Sequence, residues 1–165
     1  MKLNLGCGSK NQKDYVNVDC CGSPDVLCDL SVFPWPWTDE SVDEVYSEHF
    51  LEHVQDYEKT ILEIHRILKP GGEIVFRVPH FRSPHSIWHL HKWQFSVQTP
   101  EFLCLAIPYQ WGGVQLFEKV SLKVFVPCLV RGIGRLLNKL ASKQAIRWDR
   151  WGLPIMEIEF RGRKC

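Results

Sequence analysis

The segment Lys2 to Leu5 reads as a short apolar strand that runs directly into Gly6 and Gly8. A chain that turns sharply at the end of a strand needs residues without a Cβ, which enter left-handed backbone conformations freely. Later runs repeat the plan. Tyr15 to Val18 stops at Asp19, Asp25 to Leu27 is a short third strand, and Val42 to Tyr46 follows a Pro- and Trp-rich loop at 33–41. Short apolar runs interleaved with helical patterns predict an α/β fold with a mostly parallel sheet, not a meander of hairpins.

Tyr57, Ile61, Ile64 and Leu68 recur at helical spacing, with Asp56 as the N-cap. Pro70-Gly71-Gly72 is expected to stop that helix, and Ile74 to Val78 to form a buried fifth strand closed by Pro79. Residues 79–98 form a long loop rich in His and aromatics, a length that inside a compact domain usually carries function. Thr99 and Pro100 resemble an N-cap and N1 pair opening a short helix that Pro108 ends. Val114, Leu116, Val120, Leu122, Val124 and Val126 largely alternate, as in a sixth strand. Leu129, Ile133, Leu136, Leu137 and Leu140 form a helical stripe, and Ile155, Ile158 and Phe160 fall in a final strand. With 165 residues and no internal repeat, the chain reads as one domain, 1–165.

Twenty basic against nineteen acidic residues give a net charge of +1, so no global field recruits nucleic acid. No stretch approaches the roughly 20 apolar residues of a membrane span, and no signal peptide is apparent, so a cytoplasmic location is expected. The seven cysteines contain no C-x-x-C pair, which argues against a zinc site or a disulfide framework.

Gly6, Cys7 and Gly8, then Asp19, then Asp29 fall at successive strand ends, where open parallel sheets bind ligands. A carboxylate at Asp19 can accept both hydroxyls of a ribose, and one at Asp29 can accept from an adenine amino group. An NAD-type site would want a third glycine near Asn11 and an acidic residue about 20 positions on, and both are missing.

Read together, the strings LNLGCGSK (3–10), YVNVD (15–19), DVLCDL (25–30), SVDEVYSEHFLEHV (41–54) and ILEIHRILKPGGEIVFRVP (61–79) resemble the small class I S-adenosylmethionine-dependent methyltransferases, in particular the UbiE-like, type 11 group. The resemblance implies a Rossmann-like fold with an antiparallel last strand, and S-adenosylmethionine as cofactor. It implies that residues 3–79 bind that cofactor and that 80–165 serve the acceptor. Gly6, Cys7 and Gly8 would line the methionine and ribose portion, Asp19 the ribose hydroxyls, Asp29 and Leu30 the adenine, and Ser47, Glu48 and His49 the strip beside the methionine. His53 would pack beneath. Asn4 stands where the family often has an acidic residue reaching the cofactor's amino group. Only ten residues separate Gly8 from Asp19, so the first covering helix is expected to be shortened or missing. The cofactor would then be less enclosed, or closed over by a partner chain or the substrate.

Methyl transfer from a sulfonium asks the protein mainly to align a nucleophile and exclude water. Four of the seven histidines, His80, His85, His89 and His91, cluster beside Trp88 in the 79–96 stretch. His80 is the first candidate for the acceptor-side base, with His49 second, and His85, His89, His91 and Trp88 for the substrate side. Loop histidines without a paired carboxylate usually serve hydrogen bonding, so no metal is expected. Arg131, Arg135, Lys139, Lys143 and Arg147 recur every four residues, with Trp148 and Trp151 just beyond, a basic stripe that could rest on an anionic surface. The expected function is methyl transfer to a small, sugar- or lipid-linked acceptor. The alternative is a non-catalytic cofactor-binding module or partner subunit, and an oligomer fits either.

Overall fold

A computed structural model of the chain describes residues 1–106, 113–126, 134–150, 152 and 154–165, with the backbone alone for 134–137. The strands are β1 (Lys2–Leu5), β2 (Val16–Asp19), β3 (Val26–Leu27), β4 (Val42–Glu48), β5 (Leu68–Pro79), β6 (Phe117–Phe125) and β7 (Glu157–Lys164). They form one sheet in the order β3-β2-β1-β4-β5-β7-β6. The pairs among β1 to β5 are parallel, and β7 runs antiparallel between β5 and β6.

One face of the sheet is apolar. Leu3, Leu5, Val45, Ile74, Phe76 and Phe160 share it in register and are almost completely buried. Helix α1 (Tyr57–Ile67) covers that face with Ile61, Ile64 and Ile67. Its N-cap is Asp56, whose Oδ1 accepts from the Lys59 N–H at 3.0 Å. The Trp-rich loop joins this core through Trp35, whose Nε1 donates to the Leu30 carbonyl and whose backbone N–H donates to Glu63.

The opposite face carries paired charges. Lys2 bonds Glu44, Lys10 and Tyr46 bond Glu48, Arg77 bonds Glu159, and Arg161 bonds Glu73. Parallel sheets are normally covered on both faces. Here the links 6–15 and 20–25 hold no helix. The first link is pinned instead by two buried amides in register, Asn4 on β1 and Asn17 on β2. Asn4 Nδ2 donates to Asn17 Oδ1 at 2.9 Å and to the Lys10 carbonyl at 3.1 Å, while Asn17 Oδ1 also accepts from the Gln12 N–H at 2.7 Å.

Several elements differ from the pattern in the sequence. Helix α1 ends at Ile67, and Leu68 is already extended at φ −69° and ψ 136°. Lys69, preceding a proline, is driven from helical angles, so Leu68 is buried as the first residue of β5 rather than on the helical stripe. Thr99 has helical backbone angles and caps nothing; its hydroxyl accepts from the Ser96 N–H, and the 3₁₀ turn Pro100–Cys104 ends at Leu105. A register shift between Lys119 and Ser121 turns Val120 outward, so Phe117 fills the core in its place.

The late helical segment divides into α2 (Gly134–Lys143) and α3 (Ala145–Arg150). Leu140 is exposed rather than on a core stripe, because Ala141 faces inward beside two polar residues that bond the outer edge of β6. Asn138 Oδ1 accepts from the Val126 N–H, and Ser142 Oγ accepts from the Val124 N–H, both at 2.9 Å. Lys139, Lys143 and Arg147 are exposed. Pro108, Cys128, Leu129, Arg131, Ile133 and Trp151 lie outside the described residues, as do the side chains of Arg135, Leu136 and Leu137. Among the described residues every cysteine is a free thiol, and no helix is long and apolar enough to cross a membrane.

Replacing Asn4 by Ala is expected to destabilise the chain by about 1–3 kcal/mol, the usual effect of unpartnering buried polar groups. Chemical denaturation of the variant against the parent measures it.

Candidate active site

The turn after β1 is built from backbone constraint and one carboxylate. Gly6 and Gly8 have φ of 64° and 53°, the left-handed region. A Cβ on Gly6 would stand 2.4 Å from the Phe50 ring, so this glycine lets Phe50 pack on the turn. Asp19, at the end of β2, accepts from the Gly8 N–H at 2.8 Å through Oδ2 and from the Cys21 N–H at 3.2 Å through Oδ1. Partial burial opposes ionisation, but these hydrogen bonds hold the Asp19 carboxyl below its ordinary range. Asp29 accepts from the Ser31 hydroxyl and N–H at 2.7 and 2.9 Å, which lowers it likewise.

Gly6, Asp19, Asp29 and Ser31 line a cavity of about 350 Å³ together with Leu30, Phe50 and His53. That volume lies in the range of small-ligand sites, roughly 300–1,000 Å³. Asp19 and Asp29 stand on a wall shared with Cys28, Leu30, Phe33 and Val54, and Gln55, Asp56 and Thr60 also contribute to the lining. Each carboxylate oxygen can accept more than one hydrogen bond, so both carboxylates retain capacity toward a ligand. A partly apolar trough with acceptors of this kind suits an adenosine, with hydroxyls for Asp19 and an amino group for Asp29.

A second cavity, of about 720 Å³, opens beside the first and shares His53 with it. His49, Glu52, His85, Trp88, His89, His91 and Glu157 contribute to its wall. The histidine loop is latched over the turn that follows β4. The Lys92 N–H donates to the Glu52 carbonyl at 2.8 Å, Trp93 Nε1 donates to the Val54 carbonyl at 2.8 Å, and Tyr57 packs on Trp93 and Phe95.

Residues 3–76 match the family model described as a methyltransferase domain. They are a methyltransferase domain. No curated protein sequence matches the chain. Solved structures do, over 99% of its length: a SAM-dependent methyltransferase from Archaeoglobus fulgidus at 19% identity, 85% of that chain and TM-score 0.63; the cyclase SpnF at 14%, 74% and 0.61; and the Burkholderia thailandensis 1,6-didemethyltoxoflavin-N1-methyltransferase, holding its acceptor and S-adenosylhomocysteine, at 14%, 70% and 0.55. The strand order and the antiparallel β7 are thus those of a Rossmann-like methyltransferase fold. S-adenosylmethionine is the cofactor that the domain and this ligand-bound neighbour imply.

Within the methyltransferase fold, Gly6, Asp19, Asp29, Leu30 and His53 stand on the wall of the first cavity. Cys7 and Gly8 shape the turn behind it, and Asn4 is spent on the Asn17 and Lys10 bonds. Ser47 is buried and Glu48 is tied to Lys10 and Tyr46, and neither lines either of these two cavities. His49 has a φ of 55° and places Nδ1 3.0 Å from Glu52 and Nε2 3.2 Å from Glu157. Glu157 first, and Glu52 with it, push the imidazole up to about 9. With both ring nitrogens held by carboxylates, His49 is not placed to take a proton from an acceptor.

His80 is fully buried and lines neither cavity. Its Nδ1 accepts from the Arg82 N–H, and its Nε2 lies 3.3 Å from Asp149 without hydrogen-bond alignment. Burial holds the ring below its ordinary range. His85, His89, His91 and Trp88 do meet at the second cavity. Sequence reasoning missed Phe50 and Glu52, which sit in the same string, residues 49–54, that offered His49 and His53.

Gly6→Ala, with a left-handed backbone angle and a ring in the way, is expected to cost about 2–4 kcal/mol. Combining it with Phe50→Ala removes the ring carbons at 2.4 and 2.7 Å and leaves the Phe50 Cβ at 2.8 Å, so the clash is relieved in part and the double variant should unfold at higher denaturant than the sum of the two single effects predicts.

Proposed function

We propose that this methyltransferase delivers a methyl group to a small, sugar- or lipid-linked acceptor bound in the histidine-lined cavity. The observation that carries the reading is the shared wall: His53 belongs both to the Asp19–Asp29 cavity and to the cavity of His85, Trp88, His89 and His91. A cofactor in the first and an acceptor in the second would be neighbours across one side chain. S-adenosylmethionine, when bound, supplies an electrophilic methyl group on a sulfonium.

The chain's own contribution is placement. Asp19 and Asp29 hold the adenosine, Phe50 and Val54 exclude water from one side, and Trp88 offers an apolar platform beside His53 at a ring distance of 5.6 Å. His85 and His89, exposed on the open side of the second cavity, take the base role that the sequence had suggested for His80. The Burkholderia neighbour, which binds 1,6-didemethyltoxoflavin, supports a small-molecule acceptor.

Calorimetry with S-adenosylmethionine and S-adenosylhomocysteine tests the cofactor half. Hydrogen bonds to charged groups contribute about 1.5–3 kcal/mol each, so Asp19→Ala should weaken binding about 100-fold while circular dichroism stays unchanged. Absence of binding by the parent chain would refute the reading. Binding without methyl release to hydroxyl, amine or carboxylate acceptors would instead favour a non-catalytic module, which the missing helices of the first two links also support.

A further inference from the structure

At the junction of the two cavities, Glu52, His53 and His91 each present one ligand atom, all within 4.8 Å of one another. Glu52 is fully buried, and only one of its oxygens is used. Oε1 lies 3.0 Å from His49 Nδ1, whereas Oε2 has no hydrogen-bond partner. His91 Nδ1 is also buried without a partner. His53 Nδ1 lies 3.4 Å from the Leu90 carbonyl, which fixes the proton on Nδ1 and leaves the Nε2 lone pair available. Buried polar atoms are nearly always satisfied, and two of the three residues in this cluster, Glu52 and His91, each carry an orphaned one, which calls for a partner.

We propose that Glu52, His53 and His91 hold a divalent first-row transition-metal ion, with its remaining coordination positions open to the histidine-lined cavity. Two imidazoles and one carboxylate suit an ion of the zinc type, and three protein ligands with an open position are the pattern of a working rather than a structural site. Zinc–nitrogen bonds of about 2.0–2.1 Å place neighbouring ligand atoms about 3.4 Å apart, a contraction that side-chain rotation supplies.

The outer shell is present as well. His49 holds Glu52 and is itself held by Glu157, and the Leu90 carbonyl holds His53. Such partners fix ligand orientation. The latch of Lys92 onto the Glu52 carbonyl brings His91 to the other two ligands. Of the loop histidines only His91 belongs to this cluster, and Glu52 supplies the carboxylate from a different segment. A second group, Asp19, Cys20 and Cys21, has both Asp19 oxygens on backbone N–H groups and two exposed thiols, so it carries no comparable signal. An ion at the shared wall would fix an acceptor oxygen beside the cofactor. That use rests on the methyl-transfer reading, whereas metal binding does not.

The test uses the whole chain, stripped with a chelator and titrated with Zn²⁺ by calorimetry and with Co²⁺ by visible absorption. One equivalent should bind, with the ligand-field spectrum of a low-coordinate cobalt site. Outer-shell losses weaken metal sites about 10–100-fold, so His91→Ala and Glu52→Gln should each weaken binding about 100-fold or more, while His85→Ala and His89→Ala leave it unchanged. Nitrogen NMR of the parent chain's imidazoles gives a readout that needs no variant: Zn²⁺ should shift His53 and His91 and leave His85 and His89. Absence of a one-equivalent site, insensitivity to His91→Ala and Glu52→Gln, or shifts confined to His85 and His89 would overturn the proposal. S-adenosylhomocysteine binding measured on the same samples separates this outcome from failure of the methyl-transfer reading.

Discussion

The amide of Asn4 against the amide of Asn17 is the contact on which the rest of the sheet depends. It ties β1 to β2 and holds the link between them through the Lys10 carbonyl and the Gln12 N–H. Because side chains do this, no helix is needed there, and the face it would have covered is left to charges. The charges are then obliged to pair along the strands, as Glu44, Glu48, Glu73 and Glu159 do with lysines and arginines. Pairs of this kind, part exposed, contribute little individually, so the stability of the fold rests on the other face, with Phe76, Phe160 and the isoleucines of α1.

The ligand side follows from the same economy. With no helix after β1, the glycine turn is fixed by the Asp19 carboxylate below it and by the Phe50 ring above it. Phe50 begins the short turn after β4, and that turn carries Glu52, His53 and Val54 between the two cavities. One segment of five residues therefore packs the cofactor turn, divides the cavities and receives the latch from the histidine loop.

The sequence made the backbone plan legible because strand ends and caps are local signals. Gly6, Asp19, Asp29 and the Asp56 cap depend on residues a few positions away, and each stands where its string placed it. Leu68, Val120 and Leu140 were misread because periodicity does not register a residue before proline, a bulge, or a helix whose inward face bonds an edge strand. His80 was favoured for its closeness to the end of β5, but it lies next to a strand that is buried on both sides there. Glu52 escaped notice because its importance is the absence of a partner at one oxygen, which only the packed structure reveals.

The bonds from Asn138 and Ser142 to β6 have a consequence for association. A sheet normally grows by adding a strand to an open edge, yet the outer edge of β6 donates to side chains of α2 at Val124 and Val126. The opposite edge, β3, offers two residues. Strand-to-strand extension is therefore opposed at the Val124–Val126 end of β6, where side chains of α2 already take the backbone donors, and at β3 it has only two residues to build on.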